Sequence, residues 1–334
     1  MKQFKPVASI VLVFLAGIMA ACNNESTKKT ESTTTTETVQ KLDVPDFNAD
    51  TAYSMIKSQV DLGPRTPGSD AQKKCAAWML KAMKPYVDTI YTQDVQVTGG
   101  DGKSLPCINL IGVIHPAATK RILFLTHWDS RPWADMDTKE RDKPILAADD
   151  GGSGVAVLIE VARELKAKGL PADMGIDILL TDVEDYGKTE WGENSYCLGT
   201  QYWAHHPHVA GYKAQFGILL DMVGAHNAQF PLEGTSAYYA GDVQQKVWQA
   251  AGHAGYSSFF VYSEGDQITD DHVPVNRIAG IKTIDIINLT QDPQRPFAPH
   301  WHTHADNMDV IDRSTLKAVG QTLLRTIYET AQPQ

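Results

Sequence analysis

The sequence predicts an α/β protein built on an open, mostly parallel central β-sheet flanked by helices on both faces. Two observations predict it. Short apolar runs alternate with amphipathic stretches of helical period, and the runs are apolar at nearly every position, the pattern of strands covered on both faces. A third observation bears on function: several of the runs end in ionisable side chains.

In chain order, Lys2 and Lys5 precede an apolar run from Val7 to Ala21, too short to span a bilayer comfortably. Residues 1–21 are expected to be a signal peptide. They end in Met19-Ala20-Ala21-Cys22, which is similar to a bacterial lipobox, so Cys22 is the expected lipidation site. Residues 22–43 are rich in Ser and Thr, with too little apolar surface to offset the cost of ordering; a disordered tether is expected. Residues 44–334 follow as a single α/β catalytic domain. Helical periodicity marks Ala49–Val60 and Ser69–Met83, with the Pro64–Ser69 turn between them, and extended stretches follow near Thr89–Thr98 and Ile108–Ile114. Strands are then expected at Ile122–Leu125, Ile176–Leu180, Phe216–Leu220, Phe259–Tyr262 and Thr283–Ile287. Between the first two, Val157, Leu158, Val161 and Leu165 set a helix over Ser153–Lys168, stopped by Gly169-Leu170-Pro171. A last helix covers Arg313–Glu329.

Of 334 residues, 43% are hydrophobic and 21% charged, which excludes wholesale disorder. The net charge of −10, without any basic block, argues against a nucleic-acid partner. With Cys22 lipidated, Cys75, Cys107 and Cys197 remain, spaced unlike any zinc ribbon; one disulfide or three free thiols are both open.

The acids at the strand ends carry the chemistry. RILFLTHWD ends in His127 and Asp129, IDILLTDVED in Asp182, Glu184 and Asp185, and FGILLD in Asp221. Ligands bind beyond the carboxyl ends of the strands in such sheets. A single acid there is ordinary turn chemistry, but three in succession would repel one another unless a cation joined them. HWHTHADNMD, His300–Asp309, is the best source of a nitrogen ligand for a transition metal. The HHPH run at His205–His208 has no acids around it and reads as an exposed helix end. DGGSG, at 150–154, is not a serine-hydrolase elbow, because Val155 stands where the last Gly belongs.

Taken together, THWD, AADDGGSGVAVLIEVAREL, LLTDVEDYG, GILLDMVGA, DDHVP and WHTHADN occur in the order and approximate spacing of the glutaminyl cyclases related to the animal enzymes. From about Pro64 to the C-terminus the chain resembles a bacterial member of that family, which is close to the zinc aminopeptidases. The resemblance implies one zinc ion per chain held by Asp150, Asp185 and His302. Asp185 departs from the Glu of the animal enzymes. It further implies Glu184 as general base, Asp221 and Asp270 as a hydrogen-bonded acidic pair orienting the leaving nitrogen, and Trp191, Trp301 and Phe297 around the substrate. A cis peptide at Asp150-Gly151 is typical of the family. The implied reaction converts the N-terminal Gln of peptides or proteins to pyroglutamate and releases ammonia. The expected protein is a monomer, anchored in the bacterial envelope through Cys22, with no membrane contact beyond that lipid. The alternative is a di-zinc aminopeptidase using His127, Asp150, Asp185, Asp221 and His302, with Glu184 activating water.

Overall fold

The structure is a computed structural model that describes residues 42–292 and 294–332. The expected signal peptide, Cys22 and the tether up to residue 41 lie outside the described residues. Helix α1 (Ala49–Val60) starts at Asn48, whose side chain accepts from the Thr51 N–H, and α2 (Asp70–Met83) at Ser69, which accepts from Gln72. Each buries a stripe at helical spacing, Ala52 and Ile56 on α1 and Cys75, Met79 and Met83 on α2.

Strands β1 (Thr89–Thr98) and β2 (Ser104–Ile114) form an antiparallel hairpin. Beyond them stand β3 (Lys120–His127), β4 (Met174–Thr181), β5 (Phe216–Asp221) and β8 (Thr283–Ile287). The sheet order is β1-β2-β4-β3-β5-β8, with β2 antiparallel to β4 and the last four strands mutually parallel. The sheet is therefore mixed, its parallel part on one side. Register aligns the carboxyl ends: His127 pairs with Thr181, and Asp221 with Ile287.

Alternate residues of the parallel strands feed two cores. Phe124, Ile178, Ile218 and Ile286 pack into the large core with α1, α2, α3 (Gly152–Lys168), α5 (Gly234–Ala254) and α7 (Arg313–Thr330). Leu123, Leu125, Leu179 and Leu219 face the other way, towards Trp203 of α4 (Leu198–His205) and Val275, in the π turn after the short α6 (His272–Pro274). Helices thus cover both faces, unequally.

One expected strand belongs elsewhere. Residues 259–262 do not enter the central sheet; β7 (Phe260–Glu264) pairs in parallel with β6 (Phe230–Leu232) in a separate two-stranded ribbon. Only Phe260 of β7 is buried, against Trp248 of α5 and Phe230, so this run has one apolar face where a central strand needs two. The sequence also left α4, α5 and β6 unassigned. Gly234, Gly241 and Gly252 blur the helical signal of α5, and Ala240 (φ −146°, ψ 38°) kinks it. Cys75, Cys107 and Cys197 are all free and buried. His208 turns its ring inward among Tyr91, Trp203 and Tyr212, while His205 and His206 stay exposed.

Candidate active site at the carboxyl ends of the strands

Strands β4, β5 and β8 deliver the residues at or just beyond their carboxyl ends to one cavity. Thr181 ends β4, and the next turn presents Glu184 and Asp185; Asp221 ends β5; the turn entering α3 presents Asp150; the segment before α6 presents Asp270; and the segment after β8 presents Phe297, Trp301 and His302. All of these but Thr181 line the cavity, together with Tyr196, Ile268, Thr269 and Ile287.

Asp150, Asp185 and His302 each place a ligand atom within 4.8 Å of the other two, and all three are buried. His302 Nε2 lies 3.2 Å from Asp185 Oδ1 and 3.7 Å from Asp150 Oδ2. Asp185 Oδ2 is buried with no hydrogen-bond partner, as expected of an oxygen that belongs to a cation. A second grouping shares Asp150: His127 Nε2 lies 3.0 Å from Asp150 Oδ1 and 3.3 Å from Asp221 Oδ1. Two carboxylates and an imidazole in each grouping suit a transition metal such as zinc better than calcium.

Local structure explains why these side chains converge. Asp129 accepts the Glu184 and Asp185 N–H groups at 3.0 and 3.2 Å and stands 3.3 Å from His127 Nδ1, tying the β4 turn to the end of β3. Asp306 accepts from the Asp149 and Asp150 N–H groups, fixing the entry to α3. Gly151 makes that turn at φ +95°, where a Cβ would stand 2.8 Å from the Asp129 carbonyl oxygen. Asp150-Gly151 is trans, since no peptide among the described residues is cis, and the positive φ of Gly151 makes the bend instead.

Two residues that sequence reasoning missed organise the ligands. The buried Arg131 guanidinium donates from Nη1 to Asp185 Oδ1 at 2.9 Å and from Nε and Nη2 to Asp135 at 2.7 and 2.6 Å. Asp135 Oδ1 in turn lies 3.4 Å from His302 Nδ1. The signal in the sequence was faint: a charged loop, SRPWAD, directly after the strand end.

Electrostatics follow from crowding acids out of water. Burial pushes Glu184 well above the usual carboxylate range, against the pull of His127, and Asp270 and Asp185 add to the rise. Asp270 is raised by burial and then by Asp221. Burial lifts Asp221 to about 6, with Asp150 adding and His127 opposing. Burial would lift Asp185 too, but His302 and Arg131 hold it below its ordinary value. Both histidines are raised despite burial, His127 by Asp129, Asp150 and Asp221 and His302 by Asp185 and Asp135. With no metal bound, the raised acids and histidines favour their protonated forms, which offsets the crowding of negative charge.

A third acid stands beside Asp221 and Asp270. Asp270 and Asp221 share the cavity, and Asp285 on β8 is raised by burial and by both of them. Asp270 Oδ2 and both Asp285 oxygens lack a donor, a gap that protons held on these acids would fill. Trp191 takes a different place from the one expected. It does not line the cavity but stacks on Tyr186, edge-on to Trp133, with Lys188 Nζ 5.1 Å from its ring. The short 3₁₀ turn that carries it, Thr189–Trp191, points it into this aromatic cluster. Trp301 does line the cavity, stacked between Phe297 and the His302 ring.

A model of peptidase family M28 matches residues 109–327. Among curated proteins, the glutaminyl-peptide cyclotransferase of Gloydius blomhoffii is 26% identical over 250 residues, 66% of this chain and 65% of that protein, so the chain spans just under two thirds of that relative's length. Among solved structures, Bacteroides thetaiotaomicron glutaminyl cyclase bound to N-acetylhistamine is 47% identical, with a TM-score of 0.83 over 86% of this chain and 99% of that one. Porphyromonas gingivalis glutaminyl cyclase is 44% identical with the same TM-score and the same coverage of both chains. A structure described as a leucine aminopeptidase precursor from Bacteroides thetaiotaomicron is 46% identical at a TM-score of 0.82, again over 86% and 99%.

Proposed function

The chain belongs to peptidase family M28, and from that premise we propose that it is a glutaminyl-peptide cyclotransferase, closing the N-terminal Gln of peptides or proteins into pyroglutamate. The observation that carries the reading is the meeting of Glu184 with the Asp150–Asp185–His302 grouping in one small, acid-lined, aromatic-walled cavity. An acidic cavity attracts an N-terminal ammonium, and the Trp301–Phe297 stack suits the aliphatic part of Gln.

Zinc held by Asp150, Asp185 and His302, one ion per chain, would supply Lewis-acid polarisation of the Gln γ-carbonyl. Glu184, its proton affinity raised by burial, accepts a proton from the α-ammonium and frees the nitrogen lone pair to attack the side-chain carbonyl carbon. As the carbon–nitrogen bond of the amide breaks, the same carboxyl returns the proton to the departing nitrogen, which leaves as ammonia, and the extra proton on the new ring nitrogen passes to solvent. Asp270, raised well above the usual range by burial, favours a proton next to the departing nitrogen, and together with Asp221 it orients the leaving group. Arg131 and Asp135 keep Asp185 and His302 in place throughout.

A second reading has one specific observation behind it. The His127–Asp150–Asp221 grouping offers a place for another ion, as a di-zinc aminopeptidase requires. Metal-replete protein incubated with a Gln-peptide separates the two. Ammonia and a pyroglutamyl product with one bound zinc support the cyclase; free N-terminal Gln with two zincs supports the peptidase.

The proposal extends to placement. The lipobox-like run ending at Cys22 supports lipid anchoring in the bacterial envelope, and we propose that the anchored chain acts as a monomer. Among the described residues no helix is long and apolar enough to cross a membrane. Cys22→Ala should release the protein from the membrane fraction, and light scattering should report one chain per particle.

A further inference from the structure

One grouping of ligand atoms serves no purpose as a set in the proposed reaction. Cys197, Glu184 and Asp270 each place a donor atom within 4.8 Å of the others, and Cys197 Sγ lies 3.3 Å from Glu184 Oε1. The contact is built into the backbone. Cys197 caps α4 at φ +55°, its N–H donates to the Glu184 carbonyl at 3.0 Å, and the Leu198 N–H donates to the Val183 carbonyl at 3.0 Å. A non-glycine residue at positive φ is held there by its surroundings. Asp270 is only 4% exposed, and its Oδ2 has no hydrogen-bond partner. Cys197, though buried, lines a neighbouring depression that shares Tyr196 and Thr269 with the active-site cavity, which gives an ion a route towards its sulfur.

We propose that Cys197, Glu184 and Asp270 form a second cation site, selective for thiophilic divalent ions such as Cd²⁺, and that filling it stops turnover by occupying Glu184. The inhibition rests on the role proposed above for Glu184; the binding does not. On binding, the S–H bond breaks, sulfur bonds to the ion, and the thiol proton leaves to solvent, while the two carboxylates supply oxygen donors. A sulfur-containing donor set favours soft ions, whereas the Asp150–Asp185–His302 set offers only nitrogen and oxygen. Cys75 and Cys107 belong to no such grouping among the described residues.

The test titrates Cd²⁺ into protein already loaded with its first metal, following thiolate-to-cadmium charge-transfer absorption in the ultraviolet alongside ammonia release from a Gln-peptide. The absorption should appear as ammonia release falls. Cys197→Ser should abolish the absorption and raise the half-inhibiting Cd²⁺ concentration roughly tenfold or more, while Cys75→Ser/Cys107→Ser keeps both effects. Absorption that survives Cys197→Ser, or an unchanged half-inhibiting concentration in that variant, overturns the proposal. Should the variant fail to fold, X-ray absorption on the Cd²⁺-loaded wild type decides: a sulfur neighbour with oxygens supports the site, and oxygen and nitrogen alone overturn it. A protein that releases no ammonia even before Cd²⁺ is added refutes the cyclase reading, and the absorption then still decides the cation site.

Discussion

Replacing Asp135 with Asn removes one negative charge and almost no volume, and its effect should fall on metal affinity more than on folding. Asp135 touches neither the cavity nor the substrate in the proposed reaction; it acts through its neighbours. Its Oδ1 lies 3.4 Å from His302 Nδ1, and its carboxylate takes two hydrogen bonds from Arg131. A charge-assisted hydrogen bond contributes about 1.5–3 kcal/mol. The contact with His302 is long, the Asp135 side chain is 37% exposed, and Arg131 claims much of its charge, so about 1–1.5 kcal/mol remains. That is roughly a tenfold loss of affinity, at the lower end of the range for partners that orient a metal-bound histidine. Freed from Asp135, Arg131 turns fully to Asp185, which acts in the same direction. Competition with a chelator measures the affinity, and ammonia release at rising zinc concentration should recover to the wild-type plateau. An affinity within about twofold of wild type in a folded variant would refute the link from Asp135 through His302 to the metal.

Other consequences are equally concrete. Glu184→Gln should cut ammonia release by about 10²–10⁴-fold while leaving zinc content unchanged; retained turnover would remove Glu184 from its role. Trp301→Ala should raise KM about tenfold, whereas Trp191→Ala, outside the cavity, should leave it within about twofold, a contrast that steady-state kinetics reads directly. Gly151→Ala puts a Cβ 2.8 Å from the Asp129 carbonyl oxygen at a φ of +95°, and denaturant unfolding should show a loss of about 2–4 kcal/mol. Asp306 is held up at about 7, by burial first and by Asp149 and Asp150 next. It binds its proton more tightly when folded, so its stabilising contribution is complete below about pH 4 and is lost as pH rises to about 7. Thermal melts of metal-free Asp306→Asn should accordingly be flatter across that window than those of the wild type.

What the sequence reveals here depends on how local the determinant is. Runs such as RILFLTHWD mark both a strand and its end, because apolarity breaks off where the chain leaves the sheet. Parallel strands set those ends side by side, so the acids that follow them can be read as neighbours without knowing strand order. The order itself, with β1 and β2 antiparallel on one side, depends on pairings between distant residues and leaves no local trace. The same limit explains Trp191, whose direction is set by a 3₁₀ turn and by packing against Trp133 and Tyr186. It also explains Arg131 and Asp135, whose polar loop would pass for solvated surface, although Arg131 is 1% exposed.

The metal, by contrast, is implied by the folded chain's own electrostatics. Asp150, Asp185, Asp221 and Asp270 are at most 9% exposed and crowd one cavity. Among the described residues, Arg131 is the one guanidinium bonded to any of them, through Asp185. Without a cation, folding must leave these acids charged and poorly solvated, or else retain protons, and the raised Asp221, Asp270, His127 and His302 are the second outcome. A divalent ion between Asp150, Asp185 and His302, as proposed, would displace some of those protons and relieve the same repulsion. On the proposed reading, Glu184, beside the grouping but outside it, would then be left as the carboxyl whose proton is free to move, as a general base requires.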